Sequence, residues 1–213
     1  MQGNQSSYSS SGKRKQLIRP KYFGRTDNGT TASVSQPGDL LVAVAANRTS
    51  GTFPTLTGWT LVENNVHPTG SQSVSIYQKI AVIANESCTW TGSFGLRSIW
   101  SFPNGEFDNY NFSHSSGSGT AFAWEAQPVM SANTIVCAYV TTTSNQTSFL
   151  TPLANTISPT GPLFTRNDAG SAGAWAGDSD FDKLSSFAPS GGTFDTTTTK
   201  YTALAFTIKQ AAP

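Results

Sequence analysis

With 213 residues, the chain is long enough to bury one sizeable core and does not require a second domain. Charged residues make up 12% of it and aromatics 11%, a balance that excludes disorder through the body, because chains that fail to fold lack aromatic and β-branched bulk. The net charge of +1 conceals an asymmetry: the first 26 residues hold six basic side chains and no acidic one, which leaves seven basic against twelve acidic residues, a balance of −5, in the rest.

Residues 1–12 are polar and rich in Ser and Gln, with no apolar stretch of signal-peptide type, and no apolar run anywhere reaches membrane length. No membrane partner is expected, and if the protein acts outside a cell it leaves by a route other than ordinary secretion. Lys13, Arg14, Lys15, Arg19, Lys21 and Arg25 are then interleaved with Leu17, Ile18, Tyr22 and Phe23. Pro20 interrupts any helix and pushes Arg19 toward an extended backbone. Residues 1–26 are therefore expected to be an extended basic arm that docks on another subunit through its charges and apolar anchors. The plainer alternative is a solvating tail with a first edge strand at residues 22–24. Residues 27–213 are expected to form a single β-sandwich domain.

Pro37-Gly38-Asp39 is a turn signal, and the apolar run of residues 40–46 after it reads as a central, doubly buried strand. Leu40, Val42 and Val44 fall on one face, and the smaller Ala43 and Ala45 accompany Leu41 on the other, leaving room for something to pack close. Gly58 supplies an unusual backbone angle ahead of Trp59. Residues 73–80 alternate as a half-buried strand, with Val74, Ile76 and Ile80 inward. A strand at residues 87–91 carries Cys88 and Trp90. Residues 96–102 set Trp100 and Phe102 against Arg97 and Ile99, and Pro103-Asn104-Gly105 stops the strand.

Residues 106–119 read as a long polar loop carrying Phe107, Tyr110 and Phe112 among asparagines. Strands resume at residues 120–126, with Phe122 and Trp124, and at residues 134–141, where both faces look covered. Residues 147–165 are punctuated by Pro152, Pro159 and Pro162 and return to a short strand at 163–165. Another short strand surrounds Trp175, and residues 201–209 close the domain with Leu204, Phe206 and Ile208 facing in. No segment shows a sustained helical period. The fold class expected is all-β: a two-sheet antiparallel sandwich with jelly-roll topology ahead of an immunoglobulin-like one.

Chemistry has little to stand on. Cys88 and Cys137 match no zinc spacing and read as buried structural thiols. Asp178, Asp180 and Asp182 alternate, so three carboxylates could meet a hard cation such as calcium, but the run lacks the Gly and Glu of an EF-hand and reads rather as a solvated acidic loop. No nucleophile elbow occurs, and His67 and His114 sit in turn-rich segments where exposure is expected. No cofactor and no catalytic group is expected. Phe107, Tyr110 and Phe112 offer ring faces of the kind that stack on sugars, beside amides that hydrogen-bond hydroxyls; the same rings also suit plugging the end of a sandwich. The arm lacks a folded reader, so it would attract nucleic acid only through nonspecific, salt-sensitive contacts.

Taken in order, Gly38-Asp39-Leu40-Leu41-Val42-Ala43, Gly58-Trp59-Thr60-Leu61-Val62, Ile76-Tyr77-Gln78-Lys79-Ile80-Ala81 and Cys88-Thr89-Trp90-Thr91 resemble the strands of small β-sandwich structural proteins of tailed bacteriophages and prophages. Residues 168–175 and the closing strand at 202–208 extend the likeness over roughly residues 31–209. Ser98-Ile99-Trp100-Ser101-Phe102 departs from it, standing where many members carry a Tyr-Arg-Gly-like strand end, and the basic arm lies outside the shared pattern. The resemblance implies a virion location, as a tail-associated or capsid-decorating protein, and no catalytic residues. The partners it implies are other virion proteins, with a homo-oligomer expected by analogy of fold. The alternative is a carbohydrate-binding adhesin that recognises a host surface glycan through Phe107, Tyr110 and Phe112.

Overall fold

The computed structural model describes residues 24–27, 35–47, 53–70, 72–92, 96–115, 117–123, 134–142, 149–150, 164–166, 174–181, 192–198 and 200–212. Among them there is no helix. The first half of the chain supplies β1 (Gly24–Asp27), β2 (Leu40–Asn47), β3 (Thr55–Leu56), β4 (Thr60–Val66), β5 (Ser73–Ile80), β6 (Trp90–Thr91) and β7 (Leu96–Phe102). The second half supplies β8 (Gly105–His114), β9 (Gly119–Phe122), β10 (Thr134–Thr142), β11 (Phe149–Leu150), β12 (Phe164–Arg166), β13 (Ala174–Phe181), β14 (Gly192–Thr198) and β15 (Tyr201–Gln210). One five-stranded sheet runs β1-β7-β2-β5-β4 and the other β12-β13-β10-β15-β8, with a three-stranded β11-β14-β9 sheet and a β3-β6 ribbon beside them. Every pairing is antiparallel.

The all-β sandwich is as expected, but the jelly-roll connectivity is not confirmed. In a jelly roll successive strands alternate between the sheets; here the described strands of the two large sheets divide by sequence, one sheet from each half of the chain. Among the described residues the chain crosses between them through Pro103 and Asn104. Asn104 adopts φ +57°, and a Cβ on Gly105 would stand 2.8 Å from Phe102 Cβ and 2.9 Å from Ile208 Cγ2. The predicted strand stop is thus the corner between the sheets, and only a residue without a side chain fits where the backbone passes so close.

β2 is the central strand, paired on both sides by β5 and β7, and all eight of its residues are buried. Side-chain alternation sends its two faces into two different cores. Leu40, Val42, Val44 and Ala46 join Val74, Ile76, Trp100 and Phe102 against Leu204, Phe206 and Ile208 of the opposite sheet. Trp100 and Phe206 meet edge to face, with ring centroids 5.2 Å apart. Each of these large side chains contributes about 1.5–3 kcal/mol on leaving water. On the other face, Leu41 and Ala43 pack with Leu56, Tyr77, Ala81, Cys88 and Ile99 beneath Trp59 and Trp90. The space left by small residues on this face is filled by that outer layer, and Tyr77 Oη donates to Pro54 O at 2.9 Å to hold it down.

β5 has the expected bounds but is not half-buried. Ser73 and Ser75 are as buried as Val74 and Ile76, because small hydroxyls fit under neighbouring chain, while Ile80, expected inward, is 54% exposed at the strand's end. The largest departure is β8: the polar loop expected at residues 106–119 is instead a ten-residue edge strand on β15. Its register shifts between Thr207 and Ile208, so that Asn109 and Phe107 are the successive partners and Asp108 is the extra residue of a β-bulge. A bulge resets the alternation, which is how Phe107, Tyr110 and Phe112, at spacings of three and two, all pack against the same core. Two further corrections concern residues 174–181 and 192–198, which are full strands where a short strand, an acidic loop and no strand were expected.

Candidate functional site

Polar side chains converge at the end of the sandwich where the β4–β5 connection meets the end of β8 and the start of β15. His67 begins a tight turn in which Gly70 N–H donates to His67 O at 2.8 Å and His67 N–H to Gln72 O at 3.0 Å. Pro68 presets the second position of that turn, and Gly70 takes the left-handed φ of +62° that closes it. The turn folds Thr69 back on the ring: Thr69 N–H donates to His67 Nδ1 at 3.3 Å, and Thr69 Oγ1 lies 3.0 Å from the same nitrogen. His67 is thereby buried, at 2% exposure, and its ring stands edge-on to that of His114 with centroids 5.2 Å apart.

The surrounding network assigns the protons. Because Nδ1 of His67 accepts from a backbone N–H, the ring proton sits on Nε2, which donates to Ser115 Oγ at 3.2 Å. Ser115 Oγ also accepts Tyr201 N–H at 3.0 Å. Thr202 directs its hydroxyl proton to Gln72 Oε1 at 3.2 Å, so it receives one from Nδ1 of His114 at 3.3 Å. Burial lowers the basicity of both imidazoles, reinforced at His67 by the Lys200 ammonium and at His114 by His67. Both rings are therefore neutral near pH 7. The expectation that the two histidines are exposed is corrected: His67, in the turn after β4, is buried, and His114, the last residue of β8, is half-buried.

A histidine beside a serine suggests nucleophilic chemistry, and the geometry opposes it. A general base must present a bare nitrogen to the hydroxyl it activates, whereas His67 presents its N–H to Ser115. The arrangement binds strand ends of the two sheets to one another. No local signal marks it, since His67, His114 and Thr202 are brought together only by tertiary closure.

Phe107, Tyr110 and Phe112 are partly buried on β8 and pack against the core rather than standing on a loop. Phe107 stacks on Phe206 at 6.0 Å, and Tyr110 contacts both its neighbours. Tyr110 Oη donates to Glu63 Oε2 of β4 at 3.0 Å, closing the edge between the two sheets. Burial, and then Glu63, raise the pKa of its phenol. The rings thus stand on a strand, partly buried against the core, rather than on the loop expected for them.

Asp178 and Asp180 lie on β13, in register with Cys137 and Ile135 of β10. Asp182 lies outside the described residues. Among the described residues no group of three His, Cys, Asp or Glu is placed to hold a metal ion. Of the arm, Lys13, Arg14, Lys15, Leu17, Ile18, Arg19, Lys21, Tyr22 and Phe23 lie outside the described residues. Arg25, the last basic residue of the arm, lies in β1 and pairs with Trp100.

The motif residues Leu41, Trp59, Tyr77, Cys88 and Trp90, scattered over fifty positions of sequence, all meet in the outer core. Asp39 is buried as a brace, its Oδ2 accepting Gln36 N–H at 2.8 Å and Ser101 Oγ–H at 3.0 Å. No family model, no curated protein and no solved structure matches the chain.

Proposed function

We propose that the protein is a non-enzymatic structural component of a phage virion, displayed on the particle as a capsid decoration or a tail component and held there by the basic segment of residues 13–25. The observation that carries this reading is the meeting of Leu41, Trp59, Tyr77, Cys88 and Trp90 in one cluster. The residues on which the resemblance to phage β-sandwich proteins rests make a second packed layer outside the main core, and what they supply is rigidity. Supporting it, the basic segment leads directly into β1, an edge strand paired with β7, so a load on the arm would pass into a sheet rather than a loose loop. The positive arm and the acidic remainder of the chain are suited to different surfaces.

The test is made on particles. Purified virions from a culture producing the protein should contain it in stoichiometric amount, and a chain lacking residues 1–23 should keep its melting temperature yet fail to co-sediment. Absence from the intact chain's own virions overturns the structural role. Full attachment of the truncated chain overturns the arm as tether.

A further inference from the structure

We propose that the His67–His114 pair is an acid-triggered latch: neutral, it seals one end of the sandwich, and on protonation it lets that end open while the two cores stay closed. This inference is independent of the virion reading.

The latch joins the sheets where apolar packing gives way to polar contacts. From the first sheet come His67 and Thr69, after β4, and Gln72, before β5; from the second come His114 and Ser115, at the end of β8, and Lys200, Tyr201 and Thr202 at the start of β15. Contacts that cross between the sheets here include His67 Nε2 to Ser115 Oγ, Thr202 Oγ1 to Gln72 Oε1 and Lys200 Nζ to Thr69 O at 3.3 Å, together with the edge-on contact of the two rings.

Each ring has one nitrogen ready for a second proton, and neither gains from taking it in place. On His67 the proton would go to Nδ1, where Thr69 N–H already points, setting donor against donor. On His114 it would go to Nε2, giving a cation beside His67. The charges that act on the pair are the Lys200 ammonium on His67 and His67 on His114. Tyr201, whose N–H bonds Ser115 Oγ, accepts Ala123 N–H on its phenol oxygen. Two imidazolium ions and an ammonium would therefore share one end of the molecule, two of them desolvated, and release to water relieves all three. None of these residues belongs to the main core around Trp100 and Phe206.

A ring protonated only when open tilts the equilibrium toward opening by up to about tenfold per pH unit, and two rings by up to about a hundredfold. Amide hydrogen exchange of the full chain, followed by NMR between about pH 7.5 and pH 5 and corrected for intrinsic exchange, reads this directly. The amides of His67, Ser115 and Tyr201 should lose protection with a slope that steepens below about pH 6.5 and exceeds one decade per pH unit by about pH 5, while those of Val42 and Val44 hold theirs. In a His67→Gln/His114→Gln variant the slope should vanish. The single variant His114→Gln, altered at the less buried ring, should keep the fold and show a reduced slope. Equal protection of the wild-type end at both pH values overturns the latch, as does a wild-type slope in either variant.

Discussion

Tyr110 on the edge strand β8 hydrogen-bonds through its hydroxyl to Glu63 on the edge strand β4, 3.0 Å away, and so ties together the two outermost strands along one side of the sandwich. Tyr110→Phe keeps the ring in its place between Phe107 and Phe112 and removes only this bond. A hydrogen bond to a carboxylate at a partly exposed site is worth about 1–2 kcal/mol. Urea denaturation should show that loss as a lower midpoint with an unchanged slope.

Trp100 lies fully buried at the centre of the main core, its ring edge-on to Phe206. Trp100→Ala empties the largest buried side chain between the sheets and should cost about 3–5 kcal/mol. Calorimetry is the measurement, with Trp59→Ala as the contrast. Trp59 is only partly buried over the outer core, so its loss should be the smaller one.

Gly105 stands at the only corner the described chain makes between the two large sheets. Gly105→Ala brings a methyl group to within 3 Å of both Phe102 Cβ and Ile208 Cγ2, and neither atom is the far end of a flexible side chain. Overpacking of this kind should cost about 1–3 kcal/mol. Gly38→Ala meets no atom within 4 Å but must adopt φ +93°. Its destabilisation therefore comes from backbone strain alone, and the two variants separate crowding from strain when their thermal midpoints are compared.

Glu86 is buried, and its carboxylate accepts Lys79 Nζ at 2.6 Å, Val82 N–H at 2.9 Å and Ile83 N–H at 3.2 Å. The Lys79 bond first, and then the two backbone bonds, hold its pKa below the ordinary glutamate value against the opposing effect of burial. The unfolded chain binds the proton more readily, so stability from this group is complete above the ordinary value of 4.5 and drains away as the pH falls through the folded one. Glu86→Gln should cost about 1–2 kcal/mol near pH 7. It should also flatten the acid limb of the stability curve below about pH 4.5. An acid limb identical to wild type would remove Glu86 as its source.

Strands whose apolar residues alternate over seven or more positions were legible in the chain by itself. β2, β5, β7 and β15 fall at the expected positions, and the two faces of β2 and β7 point where a period of two sends them. The glycine before Trp59 and the turn before Leu40 were equally plain, because a left-handed backbone is a local demand.

Tertiary structure decided the rest. Ser73 and Ser75 are buried by a layer that no local pattern announces. β8 looked like a loop because its bulge at Asp108 breaks the period that identifies a strand, and only β15 alongside reveals that the break turns three aromatic rings the same way. The histidine-lined end depends on residues 48 positions apart in His67 and Ser115, and 88 apart in His114 and Thr202. Periodicity is a property of neighbours along the chain, so sequence determined which faces are apolar; which face meets which, and which polar groups are trapped between them, followed only from closing the two sheets.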